Sequence, residues 1–133
     1  MRLKHRGLAY ISSPYSVVLR KIADEKYANQ IIFQYARFGC RKALEKNLVP
    51  FSPILAFDKL FDEATQRDII LKNCLKAIER CQVFCIVKTG YGISIGMKRE
   101  YSFAKKLEMP ILEFEFTSTL LSSASNNQLK KLF

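Results

Sequence analysis

Val83-Phe84-Cys85-Ile86-Val87-Lys88-Thr89-Gly90-Tyr91-Gly92-Ile93-Ser94-Ile95-Gly96-Met97-Lys98-Arg99-Glu100 holds the pattern that decides the fold. Five apolar residues make a buried strand, a glycine-containing loop ends it, and Ser94 opens a helix. Glu100 follows six positions into that helix. A strand that feeds a helix through such a turn brings unpaired backbone amides and a carboxylate to one cleft, a place for a phosphorylated or sugar-bearing ligand. The plainer reading is a Ser-capped helix with a solvated glutamate.

The same alternation runs along the chain. Leu8 to Ser13 is a short apolar run that stops at Pro14 and reads as the first strand. From about Ile22 to Asn47 apolar residues recur at helical spacing, predicting one long helix. Leu48-Val49-Pro50-Phe51-Ser52-Pro53 is a second strand cut short by its prolines. Ile54 to Asp62 reads as a loop or single helical turn over the cleft, and a further helix opens at Glu63 or Thr65 and ends near Arg80. Val83–Val87 is the third strand, Ser94–Leu107 the next helix, and Met109–Phe114 the fourth strand. Residues 115–133 read as a terminal helix or tail.

This order predicts an α/β chain: a three-layer, flavodoxin- or Rossmann-like parallel sheet of four to five strands with helices on both faces. Ligands of such sheets sit beyond the carboxyl ends of the strands. Ser12-Ser13-Pro14-Tyr15, Phe51 to Asp58 and Lys88 to Glu100 converge there. A length of 133 residues fits a single domain.

Composition narrows the function classes. Apolar residues are 49% of the chain, enough for a packed core, yet no apolar run approaches the ~20 residues of a membrane span. The start of the chain lacks a secretory pattern, so a cytoplasmic location with no membrane partner is expected. Cys40, Cys74, Cys81 and Cys85 lack metal-ligand spacing and His5 stands alone, so reduced packed thiols and no metal are expected. A net charge of +10 attracts phosphate-bearing partners, but the basic residues scatter over helices without a nucleic-acid motif, which leaves a nucleic-acid surface possible and not favoured.

Ala9-Tyr10-Ile11-Ser12-Ser13-Pro14-Tyr15, then Val49-Pro50-Phe51-Ser52-Pro53, then Ser94-x-Gly96-x-x-x-Glu100-x-x-x-Ala104 before Met109-Pro110-Ile111, resembles the nucleoside 2-deoxyribosyltransferase-like superfamily. That group holds deoxyribosyltransferases, deoxynucleoside 5'-monophosphate N-glycosidases and small phage-associated relatives. The resemblance spans about residues 8–114 and implies transfer or hydrolysis of an N-glycosidic bond, without a cofactor, in a homo-oligomer. It implies that Glu100 is the nucleophile and that Tyr10 holds it. It implies that Ser12 and Ser13 lie under the nucleotide and that Ser94 and Gly96 receive a 5'-phosphate.

Gly92 and Tyr91 belong to the loop before Ser94, where Tyr91 reads either as a lid over a base or as a loop aromatic. Departure of the base needs a proton, for which Asp58, Asp62 and Asp68 are candidates. The plainer reading of Asp58 is a loop cap, the commoner use of such an aspartate, and that of Asp68 a helix-surface ion-pair partner beside Arg67 and Lys72. The chain also departs from active relatives: it has Cys81-Gln82 and Asn73-Cys74 where they carry acidic residues. A nucleotide-binding pocket without turnover is therefore the alternative, and a basic nucleic-acid module the third reading. The apolar Ile54–Phe61 stretch is the expected contact surface between copies.

Overall fold

A computed structural model describes residues 7–62 and 65–116. The order is β1 (Leu8–Ser12), α1 (Ser16–Lys21), α2 (Glu25–Glu45), β2 (Val49–Phe51), α3 (Pro53–Ala56), α4 (Arg67–Glu79), β3 (Val83–Lys88), α5 (Ile95–Lys106) and β4 (Ile111–Glu115). The four strands form one parallel sheet in the order β2-β1-β3-β4. The chain leaves β1 toward one edge and returns through β3 toward the other, so the topological switch lies between β1 and β3. At that point the connections diverge and leave a crevice at the carboxyl edge.

Strand alternation sorts the side chains onto two faces. Ala9, Ile11, Cys85 and Val87 pack with α1 and α2 on one face, around Val18, Ala28 and Ile32. Tyr10, Phe84 and Ile86 pack with α4 and α5 on the other, around Ile78, Met97 and Ala104. The central strands β1 and β3 are buried on both faces, and the near-continuous apolar runs of the sequence reflect this.

Gly39 is where α2 comes closest to the sheet. A Cβ there would lie 2.6 Å from Ile11 Cγ2 and 2.7 Å from Val87 Cγ2, both methyls of fully buried side chains. Overpacking of this kind costs about 1–3 kcal/mol, against about 1 kcal/mol gained from the better helix propensity of alanine. Gly39→Ala is therefore expected to lower the urea midpoint, with the slope of the transition unchanged.

The expected elements differ from the observed ones in two places. The long helix does not begin at Ile22. Asp24 caps α2 by accepting from the Lys26 and Tyr27 amides at 3.0 and 3.3 Å, and Ile22 closes the separate α1, whose six residues are too few to show a period. The helix expected from Glu63 or Thr65 begins at Arg67, because Gln66 first turns back, its Oε1 accepting from the Asp62 amide at 2.7 Å. Where a loop or single helical turn is expected over the cleft, α3 is such a turn: Ile54, Phe57 and Phe61 line a pocket, whereas Leu55 and Leu60 face outward. The terminal helix or tail after Phe116 lies outside the described residues. No helix among the described residues is long and apolar enough to cross a membrane.

Candidate active site at the sheet edge

Tyr10 and Ser12 stand two residues apart on β1, so both side chains leave the same face of the sheet. On α5, Met97, Glu100 and Ala104 follow helical spacing, which turns Glu100 toward the sheet with the buried Met97 and Ala104. The two patterns meet at the switch point. Tyr10 Oη donates to Glu100 Oε2 at 2.7 Å, and Ser12 Oγ donates to Glu100 Oε1 at 2.6 Å. Short hydrogen bonds to both oxygens fix the carboxylate in one orientation.

Burial pushes the Glu100 carboxyl above the ordinary glutamate range, opposed by hydrogen bonds from Ser12, Tyr10 and Cys74. Burial also holds the Tyr10 phenol well above its ordinary value, and the neighbouring Glu100 charge adds to the effect. Tyr10 thus keeps its proton and acts as a donor at neutral pH. Among the described residues no lysine or arginine pairs with Glu100. The carboxylate rests on neutral donors alone, which leaves its charge available to an electron-poor carbon.

Above it lies a pocket of about 380 Å³, within the roughly 300–1,000 Å³ of small-molecule sites. Ser13, Ser94, Gly96 and Glu100 line it, as does Asp58 from the exposed mouth. Ser94 caps α5, its hydroxyl accepting from the Met97 amide at 3.2 Å. The amides of Ile95 and Gly96 then belong to the first turn, which has no intrahelical acceptor. Ser13 Oγ is buried without a hydrogen-bond partner among the described residues, so a bound polar group would satisfy it.

Four expected residues lie elsewhere. Asp68 is exposed in the first turn of α4, where a carboxylate complements the helix dipole, and it does not line the pocket. Tyr91 packs edge-on against Tyr35 of α2, with ring centroids 6.1 Å apart, so it belongs to the core of the opposite face rather than to a lid over Glu100. Gly92 adopts a φ of 84° in the exposed turn beside it and makes no part of the lining. Asp62 likewise stays outside the lining.

Sequence reasoning passed over Glu25, Asn29 and Phe33 of α2 and Cys74 of α4, all of which line the pocket. The α2 residues carried a signal, since Glu25, Asn29 and Phe33 recur every four positions from the first residue of that helix. Cys74 occupies the region where active relatives were expected to have an acidic residue, and its thiol hydrogen-bonds to Glu100.

Residues 7–114 match the family described as Domain of unknown function (DUF7768). The chain belongs to that family. Among solved structures, the 2-desoxiribosyltransferase from Leishmania mexicana aligns with a TM-score of 0.50 and 20% identity, over 81% of this chain. The alignment spans 63% of the length of that protein. At that identity the likeness carries the fold, and the fold is the same arrangement of a parallel sheet between helical layers. No curated protein matches the chain.

Proposed function

We propose that this member of the family cleaves or transfers the N-glycosidic bond of a nucleoside or nucleotide, with Glu100 as nucleophile. The observation that carries the reading is the half-buried Glu100, its carboxylate held at both oxygens by Tyr10 and Ser12 and lining a ligand-sized pocket. One Glu100 oxygen attacks the anomeric carbon as the C–N bond breaks, giving a glycosyl ester and the free base. Water or a second base then attacks the anomeric carbon, and the bond from that carbon to the Glu100 oxygen breaks to restore the carboxylate. The leaving base takes a proton from an acid at the mouth, where Asp58 lines the pocket.

Among the described residues, the lining carries the carboxylates of Glu25, Asp58 and Glu100 against the single ammonium of Lys59. That balance favours an uncharged nucleoside over its dianionic monophosphate, even though the whole chain is strongly basic. A second reading, a nucleoside-binding protein without turnover, is favoured by one observation: among the described residues a thiol, Cys74, and no second carboxylate hydrogen-bonds to Glu100.

Chromatography of deoxynucleosides and their monophosphates after incubation with the protein separates the two. Release of free base supports the glycosidic reading. A raised melting temperature with intact nucleoside supports the binder, and no change in either measurement removes both.

A further inference from the structure

Glu25, Asn29 and Phe33 form one stripe on α2, and all three line the pocket that Glu100 lines from α5. The two helices cover opposite faces of the sheet, so the pocket bridges the layers across the carboxyl edge. In-line displacement puts the leaving group on the far side of the anomeric carbon from the attacking oxygen. A sugar seated at Glu100 therefore directs its base away from α5, toward the wall made by α2 and the α3 segment. Phe33, Phe57 and Phe61 give that wall its apolar surface, on which a base can rest.

Two polar groups interrupt the wall. Asn29 is half-buried and has no hydrogen-bond partner among the described residues, so its amide offers a donor and an acceptor side by side. Glu25, one turn earlier at the rim, is exposed and in no ion pair with a described residue, and its carboxylate only accepts.

We propose that Glu25 and Asn29 read the base and select one with an exocyclic amino group beside a ring-nitrogen acceptor, as in adenine or cytosine, over its oxo counterpart. The Asn29 amide spans the amino group and the ring nitrogen, the pairing that asparagine makes with adenine. Asn29 alone could turn over to suit a carbonyl. Glu25 fixes the polarity: it takes the second amino hydrogen, and it would face the oxygen of an oxo base with like partial charge. The placement of the base rests on the glycosidic reading, whereas the polarity of the contact rests on Glu25 and Asn29.

The test compares deoxyadenosine with deoxyinosine and deoxycytidine with deoxyuridine, by rate of base release and by calorimetric affinity for the Glu100→Gln protein. The wild-type pocket should favour the amino member of each pair by roughly tenfold, as one good bidentate contact allows. Glu25→Gln, whose amide can turn to suit either partner, should bring both ratios to within about threefold while the protein melts normally. Asn29→Ala should weaken binding of the amino members by about tenfold.

Glu100-dependent release without amino preference, or a preference that survives Glu25→Gln, overturns the base-reading role and leaves the glycosidic reading intact. Amino-selective binding that is lost in Glu25→Gln, with no release from any nucleoside, keeps the base-reading role and removes the glycosidic one. No binding of any of the four removes both.

Discussion

Glu100→Gln should reduce base release by at least ~10³-fold while leaving the fold intact, because an amide oxygen lacks the charge to attack and hold an anomeric carbon. The substitution keeps the volume of the side chain. Its Oε1 can accept from one hydroxyl, and the Ser12 hydroxyl can rotate to accept from the new amide. The stability change has a sign set by pH. Burial raises the carboxyl of Glu100 in the folded chain, so the folded state binds that proton more tightly than the unfolded one.

Wild-type stability therefore falls as pH climbs from the unfolded glutamate value, about 4.3, through the higher folded value, and is level above it. Glu100→Gln lacks that decline. Thermal melts should show the two proteins diverging over this window, with the variant gaining as pH rises. A variant that loses activity and also melts lower at pH 7 would assign Glu100 a structural role instead.

Tyr10→Phe should cut kcat/KM by about 10–100-fold, the kinetic counterpart of a charge-assisted hydrogen bond worth about 1.5–3 kcal/mol. The ring itself stays in place. Tyr10 is fully buried and stacks on Phe84 at 5.7 Å with an interplanar angle of 9°, contacts that phenylalanine keeps. The hydroxyl is what disappears, and with it one of the groups that hold the Glu100 carboxyl down. The acid limb of the kcat/KM profile should accordingly move to higher pH.

Ser12→Ala removes the partner of the other oxygen and should act in the same direction. The two substitutions share one carboxylate, so the double variant should depart from the sum of the single effects. A Tyr10→Phe enzyme with full activity and an unmoved profile would show that the hydroxyl only fills space.

Much of the site was legible because its parts obey short-range rules. The β3–α5 passage announces itself through an apolar run, glycines, a capping serine and a glutamate six positions on. Tyr10 and Ser12 share a face because a strand repeats every two residues; the pairing of Tyr10 with Glu100 came from the resemblance, and Ser12, expected under the nucleotide, meets the carboxylate instead. The side of the pocket built by α2 was obscured by a boundary error. Beginning the helix at Ile22 hid the Asp24 cap, and with it the fact that Glu25 and Asn29 stand in the first turns, at the strand ends.

Cys74 was read as a packed thiol, which it is. Nothing local indicates that the residue it packs against is the carboxylate on another helix. Tyr91 went the other way: lying between glycines it looked free to move, yet Tyr35 and the aromatic core behind α2 fix it. Asp68 was a candidate by type alone, and a helix-start aspartate has an ordinary electrostatic use that needs no pocket.

The most direct measurement is a crystal structure of the Glu100→Gln protein with deoxyadenosine. The account places the anomeric carbon about 3–3.5 Å from the side-chain oxygen at position 100, with the base toward Asn29. A nucleoside found instead in the open groove that Leu71 and Leu75 of α4 form with Ile95, Arg99 and Phe103 of α5, or bound in the pocket with its sugar turned away from position 100, would contradict it.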